Sequence, residues 1–476
     1  MNSAVKRCSL HPAIVAIWSI CAVIVWGLAL YLVYASSRNT PVNADGGYFL
    51  GTARAIVSGM QPYSPSLELW YPPVSLYLYS IPIWFGVNAQ DPTLIFVFQH
   101  TFTLLSGVLL ARIAAQFCAI SPLPWVVGGS YVILSILFEG QYIVLEPFTV
   151  FFILVSLWGA LRADYGSALL SGVSLGVAVL CKQYAVFAVA PVMVALFCNR
   201  RTMWYRGALL LTSAAFTFAV VVALLFFNGS TVAGLYQGFA PVQYLGIKYP
   251  RSGVVHHFVE KFPILFFTPL LLLFNDSRRS PYLWLSVLGL VGGASFLLVR
   301  QWQHYFILFL PFALLLAALL VERLQGWKGG LAVIGLAGFI PLIMSAIPFV
   351  EELQTSRSRQ RQNELCRSFS EVTELARPTI AFANPALMWV CGFLHAKNGK
   401  GFNFPESYPS DELLRILPEQ GLVITEVDDA GSLAAQHQRL FEESPNQIFD
   451  ILVSAGFQKI DRVPGYVMWI NPRLKE

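Results

Sequence analysis

Eight charged or imidazole side chains stand beside apolar segments of this chain, where a charge is costly and usually faces a cavity or a partner. They are Asp45, Glu139, Glu146, Lys182, His256, His257, Arg300 and His304. Carboxylates and imidazoles can move protons and cations can hold an anionic group, so each residue is a candidate for catalysis or binding. For any single one, the alternative is an ion pair that holds two helices together, or a side chain that reaches the lipid headgroups.

The composition is typical of a polytopic membrane protein. Of the 476 residues, 56% are hydrophobic and 12% are charged, far from the average of soluble proteins. Lys and Arg residues fall in short clusters between apolar runs, as in cytoplasmic loops, which predicts contact with membrane lipid and no nucleic-acid partner. Basic residues predominate in 1–350 and acidic residues in 351–476, so we expect two domains with this boundary.

The apolar segments predict an all-α polytopic membrane domain of about 11 to 13 transmembrane helices. Lys6 and Arg7 precede the first segment, so its N-terminus is expected in the cytoplasm. The twelve segments lie at about Ala13–Tyr34, Val74–Phe85, Leu94–Ala111, Trp125–Phe138, Pro147–Leu161, Ala168–Leu180, Ala185–Phe197, Leu209–Phe227, Phe262–Phe274, Leu283–Val299, Tyr305–Val321 and Leu331–Val350. An N-terminus inside and a tail outside need an odd number of crossings. If the short, proline-flanked segment Val74–Phe85 does not cross, eleven crossings remain, and if a longer segment is split, there are thirteen. The choice between these stays open.

Basic loops indicate which segment ends share a side of the membrane. The clusters in 199–206, 275–280 and 322–328 belong in the cytoplasm. Counting outwards from them places on the opposite side the segment 35–73, the Glu139–Glu146 turn, Lys182, the loop 228–261, the turn 300–304 and the tail. A bacterial inner membrane is the expected location, with the tail on the periplasmic or extracellular side.

The tail, residues 351–476, predicts a small extracytoplasmic α/β domain. Its first part, 351–374, is polar and prone to form a helix. Short strands are predicted at Thr379–Ala383, Leu422–Val427, Ile448–Val453 and Tyr466–Ile470, and helices at Ser410–Leu417 and Ser432–Glu443. Cys366 and Cys391 would pair if the tail faces an oxidising compartment, which the sequence leaves open.

The stretch Asn43–Pro73 reads NADGGYFLGTARAIVSGMQPYSPSLELWYPP, and its apolar spacing from Tyr48 to Val57 predicts an amphipathic helix on a membrane surface. Its ordered motifs are Asp45, Tyr48, a helix that ends at Gly59, Pro62-Tyr63 and Tyr71-Pro72-Pro73. With the glycine-rich run Gly172–Lys182 and the sequence Gln303-His304-Tyr305 before Pro311, this order resembles the GT-C glycosyltransferases. The resemblance is to the family 39-like members, which include protein mannosyltransferases and the lipid A aminoarabinose transferase, and it covers about residues 1–350.

The resemblance implies transfer of a hexosyl or pentosyl group from a polyprenyl-phosphate-linked sugar. The acceptor would be a glycan, lipid or protein of the cell envelope, at the outer face. Asp45 then corresponds to the base that takes the acceptor's proton, and Glu146 to a second acidic residue that orients the acceptor or a cation. Lys182, Arg300 and His304 become candidates to hold the leaving phosphate. Arg54 would serve instead if its helix turns it towards the site.

Aromatic and loop residues of the same motifs become candidates for substrate contact. They are Tyr48, Tyr63, Tyr71 and Tyr305, with His256 and His257 in the loop 228–261. Two departures from the family pattern matter. Tyr71 stands where some relatives carry a basic residue, and Gly47 stands where a second aspartate would form a DxD metal motif. No metal site is therefore predicted, although a divalent cation shared by Asp45 and Glu146 stays open.

A secondary transporter or flippase of a lipid-linked or small polar substrate is the alternative class. Charges beside apolar segments and short, broken helices would suit it as well. No internal repeat of matching halves is found in the sequence, which favours the glycosyltransferase. A membrane-anchored binding or assembly protein would explain the folded tail, but it leaves the charges on the outer side unexplained.

Overall fold

The computed structural model describes residues 12–64, 67, 69, 71–87, 91–196, 203–239, 261–263, 268, 280–295, 303–324, 338, 340–355, 358–373, 379–382, 390–391, 422–426, 452–463, 466–470 and 472. Its α-helices are α1 (Pro12–Asn39), α2 (Ala44–Val57), α3 (Val74–Trp84), α4 (Thr93–Ala114), α5 (Leu123–Ser135), α6 (Glu146–Leu161), α7 (Tyr165–Cys181), α8 (Val189–Leu196), α9 (Met203–Phe227), α10 (Val232–Phe239), α11 (Pro281–Ser295), α12 (Phe306–Leu324), α13 (Ile340–Thr355) and α14 (Ser358–Thr373). A π-turn (Ile136–Gly140) follows α5, and short 3-10 helices (Gln183–Ala188 and Gln303–Tyr305) precede α8 and α12.

Five helices in the described part of the chain are long and apolar enough to cross a membrane. They are Val15–Asn39, Thr93–Ala114, Leu123–Gly140, Met203–Phe227 and Gln303–Leu324. Five shorter apolar helices of 10–17 residues accompany them. One of these, α3, has 11 residues and is therefore about 16 Å long, less than the thickness of the hydrocarbon core. The total number of crossings stays a prediction.

The buried side chains form two core clusters. The larger one fills the bundle of α1, α4–α8, α11 and α12, and α12 lies at its centre with nearly every side chain buried. The smaller one joins α2 and α3 to the first turns of α4 and α6, and it includes Cys366 and Val390 of the tail. The second cluster therefore connects the segment 35–73 to both the bundle and the tail.

Glycines let neighbouring helices approach closely, as is common in membrane proteins. A Cβ on Gly107 of α4 would lie 2.8 Å from the carbonyl oxygen of Gly128 in α5, so these two glycines form the contact. A Cβ on Gly172 of α7 would lie 2.2 Å from the carbonyl oxygen of Leu210 in α9. The glycine-rich run that ends in Lys182 thus serves to pack α7 against α9.

The tail contains a four-stranded sheet with strands β1 (Thr379–Phe382), β2 (Leu422–Glu426), β3 (Gln458–Val463) and β4 (Tyr466–Ile470) in the order β1-β2-β4-β3. β1 pairs with β2 in parallel, and β4 is antiparallel to both of its neighbours. Together with α14, the sheet gives the tail its α/β character. α13 crosses the predicted domain boundary at residue 351 and ends at Thr355.

Three of the four predicted strands are present. Of the fourth, predicted at Ile448–Val453, the structure describes only Leu452 and Val453, and there the prediction is wrong. Leu452, Val453 and Ser454 are helical, and the third strand begins at Gln458 after a turn in which Gly456 has φ +85°. A short apolar run does not by itself distinguish a strand from a buried helical turn, and here Leu452 is fully buried in such a turn. The helices predicted at Ser410–Leu417 and Ser432–Glu443 lie outside the described residues.

Cys366 of α14 and Cys391 form a disulfide. Disulfides persist outside the reducing cytoplasm, so this bond favours the outer placement of the tail, which stays a prediction.

We expect a maleimide mass tag to label two fewer of the seven cysteines in denatured, unreduced protein than after reduction, because Cys366 and Cys391 are paired. The double variant Cys366→Ser/Cys391→Ser should lose this difference. Cys181→Ser, which removes a buried free thiol, should keep it. Equal labelling before and after reduction of the parent protein would contradict the pairing.

Candidate active site

Ends of five elements meet at one end of the helix bundle. The first turn of α2 brings Asp45, the π-turn after α5 brings Glu139, and α6 begins with Glu146. Lys182 follows the last turn of α7, and His304 lies in the 3-10 helix before α12. All five were expected on one side of the membrane. The structure places four of these charged groups close enough to Asp45 to affect its ionisation: His304, Lys182, Glu146 and Glu139.

A buried ion pair between Lys182 and Glu146 lies at the centre of the site. Glu146 is 0% exposed and Lys182 is 3% exposed, and the ammonium contacts the Oε1 atom of the carboxylate. α7 ends at Cys181, and the extended backbone of the next residue, Lys182 (φ −155°, ψ 122°), turns the chain into the following 3-10 helix. The other carboxylate oxygen, Oε2 of Glu146, is buried without a hydrogen-bond partner among the described residues. An incoming hydroxyl or cation would satisfy that oxygen.

His304 connects both glutamates. Its Nδ1 atom lies 3.0 Å from Oε2 of Glu139, and its backbone N–H donates to the same oxygen at 3.3 Å. Its Nε2 atom lies 3.8 Å from Oε1 of Glu146. Glu139 adopts φ +67°, a left-handed conformation that is strained for a side chain larger than glycine. Such strain is common where the surrounding structure holds a functional group in place.

Gln99 of α4 fixes the turn that carries the two glutamates. Its side-chain amide donates to the carbonyl oxygens of Gly140 (3.1 Å) and Tyr142 (2.8 Å). Its Oε1 atom accepts from the backbone of Val144 at 3.1 Å and from the hydroxyl of Tyr79. Because Gln99 is fully buried, these bonds hold the turn rigidly between α5 and α6.

Asp45 lies near the buried ion pair. Its side chain is exposed, and it makes no side-chain hydrogen bond within the described ranges. Protein nevertheless surrounds it, and this desolvation raises the pKa of Asp45 above its ordinary value. His304 and Lys182 partly oppose the rise, whereas Glu146 and Glu139 add to it. A carboxylate with a raised pKa and an open approach is well suited to accept a proton.

Local contacts hold the first turn of α2 in place. The Oδ1 atom of Asn43 accepts from the backbone of Gly46 at 3.0 Å, which caps the helix. A Cβ on Gly46 would lie 2.8 Å from Cβ of Ile143, so a glycine is required for α2 to approach the turn before α6. This contact brings Asp45 towards Glu146.

Aromatic rings line the site next to Lys182. Its ammonium lies 4.2 Å from the ring centre of Tyr305 and 5.8 Å from that of Tyr184. The ring of Tyr305 also packs against His304, with centroids 4.8 Å apart. Cation–π contacts of this kind stabilise a buried ammonium and fix its position. Tyr305, predicted to contact substrate, is 2% exposed and supports Lys182.

The helix α2 does not turn Arg54 towards the site, so Arg54 does not replace the other candidates for binding the donor phosphate. Arg54 lies nine residues after Asp45 in α2, which is about half a turn around the helix axis and about 13 Å along it. It therefore lies on the opposite face, and burial lowers the pKa of its guanidinium without a contribution from any charge of the site. The structure does not bring Arg54 to the cluster.

The three candidate tyrosines of the segment 35–73 pack against one another. The ring of Tyr71 lies 6.1 Å from that of Tyr48, and both are half-buried beside the site. Tyr63 is fully buried, and its hydroxyl donates to the carbonyl oxygen of Tyr71 at 2.6 Å. Its own carbonyl oxygen accepts from the backbone of Thr231 at 2.9 Å. Tyr63 is thus a core residue that joins the segment 35–73 to the start of α10, and its predicted substrate contact gains no support.

Arg300, His256 and His257 lie outside the described residues, so their predicted roles remain predictions. Of the loop 228–261, the structure describes the first part, with α10, and Lys261 at its end. The ammonium of Lys261 donates to the carbonyl oxygen of Leu137 at 2.8 Å.

The sequence marked Glu139 as a candidate beside an apolar segment but gave it no specific role. Lys261 and Tyr184 were missed as neighbours of the site. Lys261 stands directly before an apolar segment, and this was an available signal.

The described residues contain no group of three or more His, Cys, Asp or Glu side chains arranged to hold a metal ion. The divalent cation considered for Asp45 and Glu146 therefore has no complete set of protein ligands within those ranges. We assign no catalytic step to it.

The solved structures that resemble most of this chain include the following three. ArnT from Cupriavidus metallidurans in the apo state matches with a TM-score of 0.61 and 11% identity, over 94% of this chain and 97% of that chain. ArnT from the same organism bound to undecaprenyl phosphate matches with a TM-score of 0.58 and 13% identity, over 96% and 98%. The apo oligosaccharyltransferase of Archaeoglobus fulgidus matches with a TM-score of 0.50 and 12% identity, over 86% of this chain and 69% of that chain.

No protein-family model and no curated protein matches the sequence. At 11–13% identity the structural likeness establishes the fold alone. The chain is an integral membrane protein, and it has the GT-C fold that its sequence motifs predicted.

Proposed function

We propose that the protein is a membrane glycosyltransferase that moves a sugar from a polyprenyl-phosphate donor to a glycan, lipid or protein acceptor. The observation that carries this proposal is the exposed carboxylate of Asp45 near the buried Lys182–Glu146 pair, within a GT-C fold. A solved structure with the same fold was determined with undecaprenyl phosphate bound. This supports a donor lipid of the same chemical class.

Asp45 is the general base in this proposal. It accepts the proton of the acceptor hydroxyl while the hydroxyl oxygen attacks the anomeric carbon of the sugar. The bond from that carbon to the phosphate oxygen breaks, and polyprenyl phosphate leaves with the bonding electron pair. In this proposal Oε2 of Glu146, which is buried without a partner among the described residues, accepts a hydrogen bond from the acceptor or the sugar.

Lys182 and His304 stabilise the negative charge that develops on the leaving phosphate. Three carboxylates, Asp45, Glu139 and Glu146, already face these two groups, so an anionic donor requires additional positive charge. Arg300, four residues before His304, is the predicted source. We retain it as a donor-phosphate residue, whereas Arg54 is withdrawn because of its position on α2.

The reaction takes place on the outer face of a bacterial inner membrane in this proposal. The disulfide of the tail and the basic loops at the other segment ends support this orientation. The bundle, residues 1–350, forms the transferase domain, and residues 351–476 form a second domain on the same side as Asp45.

The test compares polyprenyl-phosphate-linked sugars in membranes of cells with and without the protein. We expect one such lipid to accumulate when the protein is absent or carries Asp45→Asn. The purified wild-type protein should then convert that lipid and release polyprenyl phosphate. No accumulation, together with no release by the purified protein, would contradict the proposal. Uptake of a labelled solute into vesicles would favour a transporter instead.

A further inference from the structure

The first helix of the tail binds the backbone just before the candidate base. The side-chain amide of Gln362 in α14 donates to the carbonyl oxygen of Val42 at 3.0 Å. Its Oε1 atom accepts from the backbone N–H of Val42 at 3.2 Å. Both polar groups of one backbone residue are therefore bound by one side chain. Val42 is 3% exposed, so water does not readily replace these bonds.

The same helix binds the end of α1. The guanidinium of Arg359 donates to the carbonyl oxygen of Ser37 at 3.0 Å, and it also donates to that of Arg38. These carbonyls belong to the last turn of α1 and lack partners within that helix. The same nitrogen, Nη1 of Arg359, also lies 3.1 Å from Oγ1 of Thr93, the first residue of α4. A cation at the C-terminus of α1 is favourable for the helix dipole as well.

Cys366 completes this face of α14. Arg359, Gln362 and Cys366 are spaced three and four residues apart, so they lie along one side of the helix. Cys366 is buried in the core cluster that contains Val42, Phe49 and Leu50, and its disulfide links α14 to Cys391. α14 is thus fixed both to the connection between α1 and α2 and to the rest of the tail.

We propose that α14 positions Asp45, and that Gln362 is the principal positioning residue. Val42 precedes Asn43, the residue that caps α2, and Asp45 lies in the first turn of that helix. Fixing both backbone groups of Val42 fixes where α2 begins and therefore where the carboxylate of Asp45 lies relative to Lys182 and Glu146. The tail is then a part of the catalytic geometry. The catalytic part of this inference rests on the proposed function. The contact between Gln362 and Val42 is independent of it.

Hydrogen exchange tests the contact without using activity. We expect Gln362→Ala to raise the exchange rate of the amides in residues 40–47 by about tenfold, because two partly buried hydrogen bonds are lost. Gln362→Met, which keeps the length of the side chain without its polar groups, should do the same. Gln360→Ala is the matched control, since Gln360 is exposed on the same helix and bonds Glu364. Unchanged exchange in both Gln362 variants would overturn the contact and the proposal with it.

Kinetics test the positioning. Gln362→Ala should lower kcat for sugar transfer by about tenfold and leave KM for the donor within about twofold, because the base is displaced while the donor groups are intact. Gln362→Glu, which still accepts from the N–H of Val42, should recover part of the rate. Faster exchange with an unchanged kcat would overturn the positioning role. If no form of the protein transfers sugar while exchange rises only in the Gln362 variants, the proposed function fails and the contact is upheld.

Discussion

Asp45→Asn is expected to lower kcat for sugar transfer by about 10²- to 10⁴-fold, the usual contribution of a positioned general base. The amide keeps the size of the side chain but cannot take a proton at neutral pH. KM for the donor should change little, because Asp45 does not contribute to phosphate binding in our proposal. The measurement is release of polyprenyl phosphate by the purified variant.

The same substitution should leave the stability unchanged or raise it. Desolvation raises the pKa of Asp45, so the folded state holds its proton more tightly than the unfolded chain does. Near neutral pH the ionised carboxylate therefore disfavours folding, and this cost is removed as pH falls through the raised pKa. Asn removes the cost at every pH, so a large fall in the melting temperature of Asp45→Asn would argue against the site geometry.

The raised pKa of Asp45 also predicts how activity depends on pH. Activity requires ionised Asp45, so the acidic limb of kcat/KM should lie above the ordinary pKa range of an aspartate. Asp164→Asn is the matched control, since Asp164 caps α7 through Ser167 N at 2.7 Å and asparagine caps a helix equally well. That variant should keep full activity. Full activity of Asp45→Asn would refute the assignment of the base.

Lys182→Met is expected to lower kcat by about 10²- to 10³-fold through loss of a cation at the leaving phosphate. It should also destabilise the protein by about 3–5 kcal/mol, because the carboxylate of Glu146 would remain buried without its ammonium partner. Thermal unfolding and polyprenyl phosphate release measure the two effects separately. Removing this cation should also shift the acidic limb of the pH profile upwards, since Lys182 lowers the pKa of Asp45.

A double variant separates structure from catalysis at this pair. Lys182→Met/Glu146→Gln contains neither buried charge, so it should recover most of the stability and none of the activity. Arg323→Gln is the control for loss of a cation. Arg323 is exposed near the far end of α12, about 28 Å along the helix from His304, and its replacement should change neither property. Recovery of activity in the double variant would show that Lys182 acts only as the partner of Glu146.

The expectation that Asp45, Glu146, Lys182 and His304 share one side of the membrane rested on short-range signals. Apolar run length marks a segment, and basic residues mark its cytoplasmic end, so the opposite ends follow by alternation. The structure brings these residues together. Their catalytic roles still depend on the experiments above, because proximity does not establish chemistry.

The positions of Arg54 and Tyr63 could not be predicted from local sequence patterns. The apolar spacing predicted that the amphipathic helix begins at Tyr48. In the structure, Asn43 caps α2, which begins at Ala44, so Asp45 and Arg54 lie in the same helix. Helix geometry then separates the two side chains. The ring of Tyr63 is buried against Gly238 and Phe239 of α10, which lie far along the chain.

The contact of α14 with Val42 left no recognisable pattern, because polar residues spaced along a helix normally indicate a solvated surface. Gln362 and Val42 are 320 residues apart, and two hydrogen bonds carry no hydrophobic periodicity. The disulfide at Cys366 was likewise open, since spacing fixes neither distance nor compartment.

The sequence by itself determined a polytopic membrane protein and the segment ends at which a site could form, since hydrophobicity and charge act locally along the chain. The resemblance of its ordered motifs to the GT-C glycosyltransferases predicted the fold. Only the tertiary structure decided which of those groups meet. It paired Lys182 with Glu146 and His304 with Glu139, turned Arg54 away, and placed α14 against the residues before Asp45. Such contacts depend on how helices pack and rotate against one another, a long-range property that no single segment encodes.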